Sequence, residues 1–200
     1  MPRDPRTRAV EWIGGYCDIE QRLAEVPPSA RVRGLYFGNV LRVLRQLGRL
    51  SAYQEFFPDE RWSALRWYPV NDYLVRLGLA GAVLGSPRDI HDGMRRISRQ
   101  NVTAFTSSLL GRMMLKILSK DPVRLTEQGI AARRQSMNYG HWRIARRELH
   151  ELEVEYRSEY IWIESAIAGA AEGTFEICGT TATVQTVLDD RYNGSTFVRW

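Results

Sequence analysis

The sequence predicts an α+β fold: an N-terminal helical lobe packed on a C-terminal β-β-α-β-β antiparallel sheet. Three observations predict it. Apolar residues recur at helical spacing through most of residues 18–136. Near Ser136 the period changes, and apolar and polar residues then alternate as they do in half-buried strands. A run of helices followed by a run of strands segregates into layers of each rather than alternating βαβ units. With 200 residues, 44% hydrophobic and 26% charged, the chain is long enough to bury a core without disulfide staples.

The elements follow in order. Residues 1–17 have no apolar period and are expected to be a loose arm, leaving one domain over 18–200, helical over 18–136 and sheet-forming over 137–200. "DIEQRLAEVPPSA" is halted by Pro27-Pro28. "RVRGLYFGNVLRVLRQLG" places Leu35, Tyr36, Val40, Val43, Leu44 and Leu47 on one helical side, with Gly48 as its stop. "SAYQEFFP" is a short helix ended by Pro58, and Trp62, Trp67 and Tyr68 crowd the loop after it. Asn71 or Asp72 is expected to cap the helix "DYLVRLGLAGAVLG". Ser86-Pro87 opens the next, whose Arg95, Arg96 and Arg99 form a basic side. "VTAFTSSLLGRMMLKILS" is apolar enough for the centre of the core, and Asp121-Pro122 restarts the chain as a further helix.

Beyond Gln135, "SMNYGHWRIARREL" and "HELEVEYRS" alternate as strands. In the second, Leu152, Val154, Tyr156 and Ser158 are expected on the buried face, and Glu153, Glu155, Arg157 and Glu159 on the wet one. "YIWIESAIAGAAEGTFEIC" is a helix stopped by Gly179, with small residues that permit close approach to a sheet. "TATVQTVL" and "STFVRW" form a hairpin around "DDRYNG", where Asn193-Gly194 is a turn pair.

Composition narrows the function. The net charge is +5, carried almost wholly by arginine, since Lys116 and Lys120 are the only lysines. Residues 1–136 hold 22 basic and 13 acidic side chains, and residues 137–200 hold 6 and 10. Such asymmetry suits a basic face or two parts packing on each other. No basic run exceeds two residues and no zinc or RNA-platform motif is present, which disfavours nucleic acid. The longest apolar stretch, Leu77 to Gly85, is too short to span a bilayer, and no secretory signal opens the chain, so a cytoplasmic protein with no membrane partner is expected. Cys17 and Cys178 have no metal or disulfide spacing, and His91, His141 and His150 never pair at helical spacing, so no metal is expected. Without a phosphate loop, a nucleophile elbow or a paired acid and base, no enzyme is expected.

"VRGLYFGNVLRVL", "WYPVNDYLVRL", "SLLGRMMLKIL" and "YIWIESAIAGAAEGTFEICG" together resemble a domain family of unknown function, of about this length, found mainly in myxobacteria. The resemblance runs from Asp18 to Trp200, and its closing strand implies a complete C-terminal domain. The C-terminal part is also similar to a wider group: heme-nitric-oxide/oxygen-binding (H-NOX) domains, 4-vinyl-reductase-like domains and TRAPP tethering subunits. That group implies helices packed on a sheet with a ligand cavity between them.

In H-NOX domains a Tyr-x-Ser-x-Arg binds the heme propionates. Tyr156 and Ser158 match it, but Tyr160 stands where the Arg would be. The iron-ligating His of that family would fall near Glu127, where there is none. The resemblance therefore implies no heme and no other cofactor. Two readings of "YRSEY" stay open. In one, Tyr156 is a core aromatic and Ser158 the N-cap of the next helix. In the other, Tyr156, Ser158 and Tyr160 form the polar lip of a ligand cavity. The function expected is a non-catalytic sensing or interaction domain holding a small apolar or amphipathic ligand. The alternatives are a protein-binding module, and a heme gas sensor. A homodimer is expected because Trp62, Trp67, Tyr68 and Trp142 are many aromatics for loops and strand ends.

Overall fold

A computed structural model describes the backbone of residues 4–107 and 121–200 and the side chains among them outside 104–107. Two compact units divide it, Met1–Ile97 and Ser98–Trp200. The apolar helix expected over 102–119 lies mostly outside the described residues; its first residues continue a longer helix.

The first unit contains α1 (Pro5–Ile13), α2 (Ile19–Glu25), β1 (Arg31–Arg33), α3 (Leu35–Gln46), α4 (Leu50–Gln54), β2 (Trp67–Pro69), α5 (Val70–Leu84), a 3₁₀ turn (Pro87–Asp89) and the start of α6 (Ile90–Ser107). The expected loose arm is instead helical over Pro5–Ile13. Asp4 caps it by accepting from the Thr7 amide at 3.1 Å, Pro5 opens it, and Ala9 and Ile13 are buried. From Leu77 to Leu84 α5 is apolar and buried on every side, and Leu74, Val75, Leu77 and Leu79 are fully enclosed, while Asn71, Asp72 and Arg76 mark a polar side in its first turns. Neither Asn71 nor Asp72 caps it, because the helix already begins at Val70, with Pro69 in the cap position. α3 buries Phe37, Val40, Val43 and Leu44, and Gly48 ends it in the left-handed region at φ 68°.

The loop aromatics mostly turn inward. Trp62 stacks on Phe37 with ring centroids 4.0 Å apart, and Tyr68 meets both rings edge-on. Trp62 also donates its indole N–H to Glu60 at 3.4 Å. The same carboxylate accepts from the Tyr53 hydroxyl at 2.8 Å and pairs with Arg76 at 2.6 Å. Trp67 stays 37% exposed, its ring covered by the Arg33 guanidinium at 4.0 Å.

The second unit continues α6 and adds α7 (Pro122–Ser136), β3 (His141–Arg147), β4 (Glu151–Arg157), a single π-helical turn (Ile163–Ile167), α8 (Ala168–Ile177), β5 (Thr183–Leu188) and β6 (Gly194–Arg199). The strands form one antiparallel sheet in the order β3-β4-β6-β5, and α8 and the π-helical turn pack against β5. This is the α+β class that the change of period predicts. Leu152, Val154, Tyr156, Thr196 and Val198 are buried on the inner face. Gly179 ends α8 with φ 73°. Asn193-Gly194 is not the expected turn pair. Gly194 already pairs with Leu188 in the ladder, and the connection is held by Asp190, whose carboxylate accepts from the amides of Tyr192 (2.8 Å) and Asn193 (2.9 Å). Among the described residues no helix is long and apolar enough to cross a membrane.

The outer face is a lattice of paired charges. Arg143 and Arg157 bind Glu155, Arg146 and Arg199 bind Glu151, and Arg157 also reaches Asp189 at 2.6 Å. The bonds from Arg143 and then Arg157 hold the Glu155 carboxyl below its ordinary value, and the bond from Arg199 does the same first for Glu151. A carboxyl depressed in the folded state contributes stability in full above its unfolded value and loses it as pH falls through the folded one. The melting temperature is therefore expected to fall between about pH 5 and pH 3, less steeply in high salt. A melting temperature flat over that window would show that the lattice contributes nothing.

Candidate functional site

The chain turns sharply where β4 ends. Ser158 takes φ 53°, in the left-handed region, and there the strand's alternation breaks. Ser158 is exposed, and Glu159 is fully buried at 0% exposure. Both sequence-based placements are thereby corrected: Ser158 is not on the inner face and Glu159 is not on the wet one. Ser158 is not an N-cap either. The helical segment starts later, at Ile163, with Trp162 in the cap position and no side-chain cap bond. Two bonds strap the corner to the β5–β6 loop: the Ser158 amide donates to Asn193 Oδ1 at 3.0 Å, and the Glu159 amide to the Tyr192 carbonyl at 2.8 Å.

A left-handed serine carries a conformational cost that glycine avoids. Ser158→Gly is accordingly expected to stabilise the protein by about 1 kcal/mol. Chemical denaturation compares the two, and a less stable Gly variant would show that the serine side chain holds the corner.

Glu159 gathers the site. Its Oε2 accepts from Arg133 Nη2 at 2.6 Å and from Trp142 Nε1 at 2.6 Å, and its Oε1 from the Ile161 amide at 3.0 Å. Arg133 comes from α7 and is itself buried, at 4% exposure. Its Nη1 donates to the Tyr139 carbonyl at 2.7 Å, and its guanidinium lies 4.7 Å from the Trp142 ring centre and 5.1 Å from that of Tyr139. Its Nε has no hydrogen-bond partner among the described residues. Gly140 makes room for this group: a Cβ there would meet Arg133 Nη2 at 2.7 Å and the Ser158 carbonyl at 2.9 Å, and its φ of 66° suits glycine.

The three residues singled out from the sequence do not converge on one point. Tyr156 is buried, its hydroxyl 2.6 Å from that of Thr196 and its ring edge-on to Trp142. Burial pushes its phenol above the ordinary value, outweighing the Thr196 bond. Ser158 is exposed. Tyr160 is half-buried between Tyr139 (5.0 Å) and Tyr192 (5.3 Å), and burial, then the Glu159 charge, raises its phenol. The sequence reading missed Arg133, Trp142 and Glu159 as a set. A signal existed for Arg133, which shares a helical side with the buried Val123, Ile130 and Met137.

Chemically the corner is a neutral, internally bonded ion pair under two aromatic rings. Elsewhere in the unit, burial, with Asp121 nearby, pushes the Cys178 thiol up to about 11, which favours the thiol over the thiolate. Among the described residues no group of three or more His, Cys, Asp or Glu could hold a metal ion.

The fold has solved counterparts. An Fe(II) unliganded H-NOX protein from K. algicida superposes with a TM-score of 0.64 at 14% identity, over 84% of this chain and 95% of its own. An H-NOX protein from S. oneidensis in the Fe(II)NO state gives 0.60 at 11% identity, over 84% and 98%. A mutant H-NOX of T. tengcongensis gives 0.55 at 15% identity, over 84% and 96%. At these identities the likeness is one of fold. No curated protein matches the sequence. A family model described as "Protein of unknown function (DUF2378)" matches residues 26–200, and the chain belongs to that family.

Proposed function

We propose that the chain is a non-catalytic sensing or interaction domain built on an H-NOX-like scaffold and working without heme, with a small apolar or amphipathic molecule or a protein as its partner. The observation that carries this reading is Glu159. At the corner where an acidic cofactor would be clamped, the buried guanidinium already holds the chain's own carboxylate. Tyr156 is bonded to Thr196 on the inner face and Ser158 is turned off that face by its left-handed backbone, so the two hydroxyls do not converge on one carboxylate. These residues do not fit heme. The sensing role rests on the likeness of fold alone.

Native mass spectrometry and an absorption spectrum of protein expressed with heme supply test it together. The expected result is no stoichiometric Soret band, and either a retained small adduct or a stable complex with a protein. A full-intensity Soret band that survives gel filtration would overturn the heme-free reading. The same spectra report whether the chain is a dimer.

A further inference from the structure

We propose that the Ser63–Trp67 loop of the first unit is a peripheral contact for anionic phospholipid headgroups. Leu65 sits at its tip and is 78% exposed. The loop that presents it is fixed. The amides of Gly34 and Leu35 donate to the carbonyls of Arg66 (2.9 Å) and Ala64 (3.1 Å), Arg66 donates its amide to Ser63 (3.1 Å), and Arg33 reaches the Leu65 carbonyl. A Cβ on Gly34 would lie 2.2 Å from the Ser63 carbonyl, so the loop is pressed onto the ribbon of β1 and β2. An ordered backbone therefore holds an aliphatic side chain in water, at a standing hydrophobic cost.

Three arginines lie near Leu65: Arg33 reaches its carbonyl, and Arg61 and Arg66 stand four residues before it and one after it in the chain. None forms an ion pair among the described residues, although Asp59 is close in sequence; the neighbouring Glu60 is engaged inward by Arg76 and Tyr53. The contrast with the sheet is sharp, where Arg143, Arg146, Arg157 and Arg199 all bind acidic side chains. Guanidiniums without a carboxylate, beside an exposed leucine and a part-exposed indole, match a headgroup layer, with phosphates for the arginines and an acyl boundary for Leu65 and Trp67. Nucleic acid fits less well, since Arg33 covers a face of Trp67 and Tyr68 packs on Phe37, leaving no free stacking platform in this loop. A protein partner would call for a broader apolar centre than one leucine and the edge of an indole. The expectation of no membrane partner rests on the lack of a spanning segment, and the lack of a spanning helix among the described residues speaks only against insertion by those helices, so a surface contact departs from that expectation without conflicting with its ground.

The test is co-sedimentation of the full chain with vesicles of equal parts phosphatidylglycerol and phosphatidylcholine, against phosphatidylcholine alone, at about 50 mM salt where screening is weak. Binding is expected on the anionic vesicles only. Each arginine contributes roughly fivefold, so Arg61→Gln/Arg66→Gln lowers partitioning about 25-fold. Leu65→Ser lowers it about tenfold, and the sheet double variant Arg143→Gln/Arg199→Gln leaves it unchanged. Equal binding to both vesicle types, an unaffected Leu65→Ser, or an equal loss in the sheet variant overturns the proposal. So does tighter binding to a single-stranded oligonucleotide that Arg61→Gln/Arg66→Gln abolishes and Leu65→Ser does not.

Discussion

Glu159→Ala is expected to destabilise the protein by about 3–5 kcal/mol, the cost of removing one partner from a buried ion pair. The change leaves the Arg133 guanidinium buried without a counter-charge. It also strips an acceptor from Trp142 Nε1 and from the Ile161 amide, each a bond of 3.0 Å or less. Glu159→Gln loses the charge and keeps only one acceptor oxygen, which can serve Trp142 or Ile161 but not both, so its cost falls between wild type and Ala. In the double variant Arg133→Met/Glu159→Leu the stranded charge disappears while Trp142 and Ile161 still lack partners, so part of the stability returns. Urea midpoints of the four proteins decide it. An Ala variant within about 1 kcal/mol of wild type would mean that water reaches Arg133 and that the corner is wet, which would reopen it to an acidic ligand.

How much of this was legible varies with the range of the interaction. The α+β class, the inner face of β4 and the stops at Gly48 and Gly179 follow from local period and backbone freedom, and the sequence displays both. α1 was legible too: Asp4-Pro5 is a helix start, hidden only because the segment lacks an apolar stripe. β1 and β2 were not, since strands of three residues carry no readable period. The site fails for a different reason. Alternation reads Glu159 as wet only if the strand continues through Ser158, and one left-handed residue shifts the phase so that the next side chain turns inward. A buried arginine on α7 was readable from helical spacing. Its carboxylate, 26 residues on, was not, because no local pattern records which acid a buried base will meet.

Gly93→Ala is expected to cost about 3 kcal/mol, the upper end of overpacking, because the added methyl would meet backbone rather than a movable side chain. A Cβ at position 93 lies 2.1 Å from the Gly81 carbonyl oxygen and 2.8 Å from its Cα, where α6 starts across α5. Neither atom can rotate away, so the two helices must separate. That loosens the contacts of Leu77, Met94 and Ile97, all fully buried. Gly81→Ala presses from the other side, its Cβ 2.6 Å from the Ile90 carbonyl and 2.8 Å from Met94 Cγ. Once one methyl has parted the helices the second finds room, so the double variant should cost clearly less than the sum of the singles. Gly129→Ala gives the opposite sign. That glycine is exposed in α7 with nothing within 4 Å of its added Cβ, and alanine there should gain about 0.5–1 kcal/mol of helix propensity. Thermal melts of the four variants separate space from propensity. A Gly93→Ala protein as stable as Gly129→Ala would show that the crossing slides freely, and strict additivity of the two crossing variants would show that each is accommodated independently of the other.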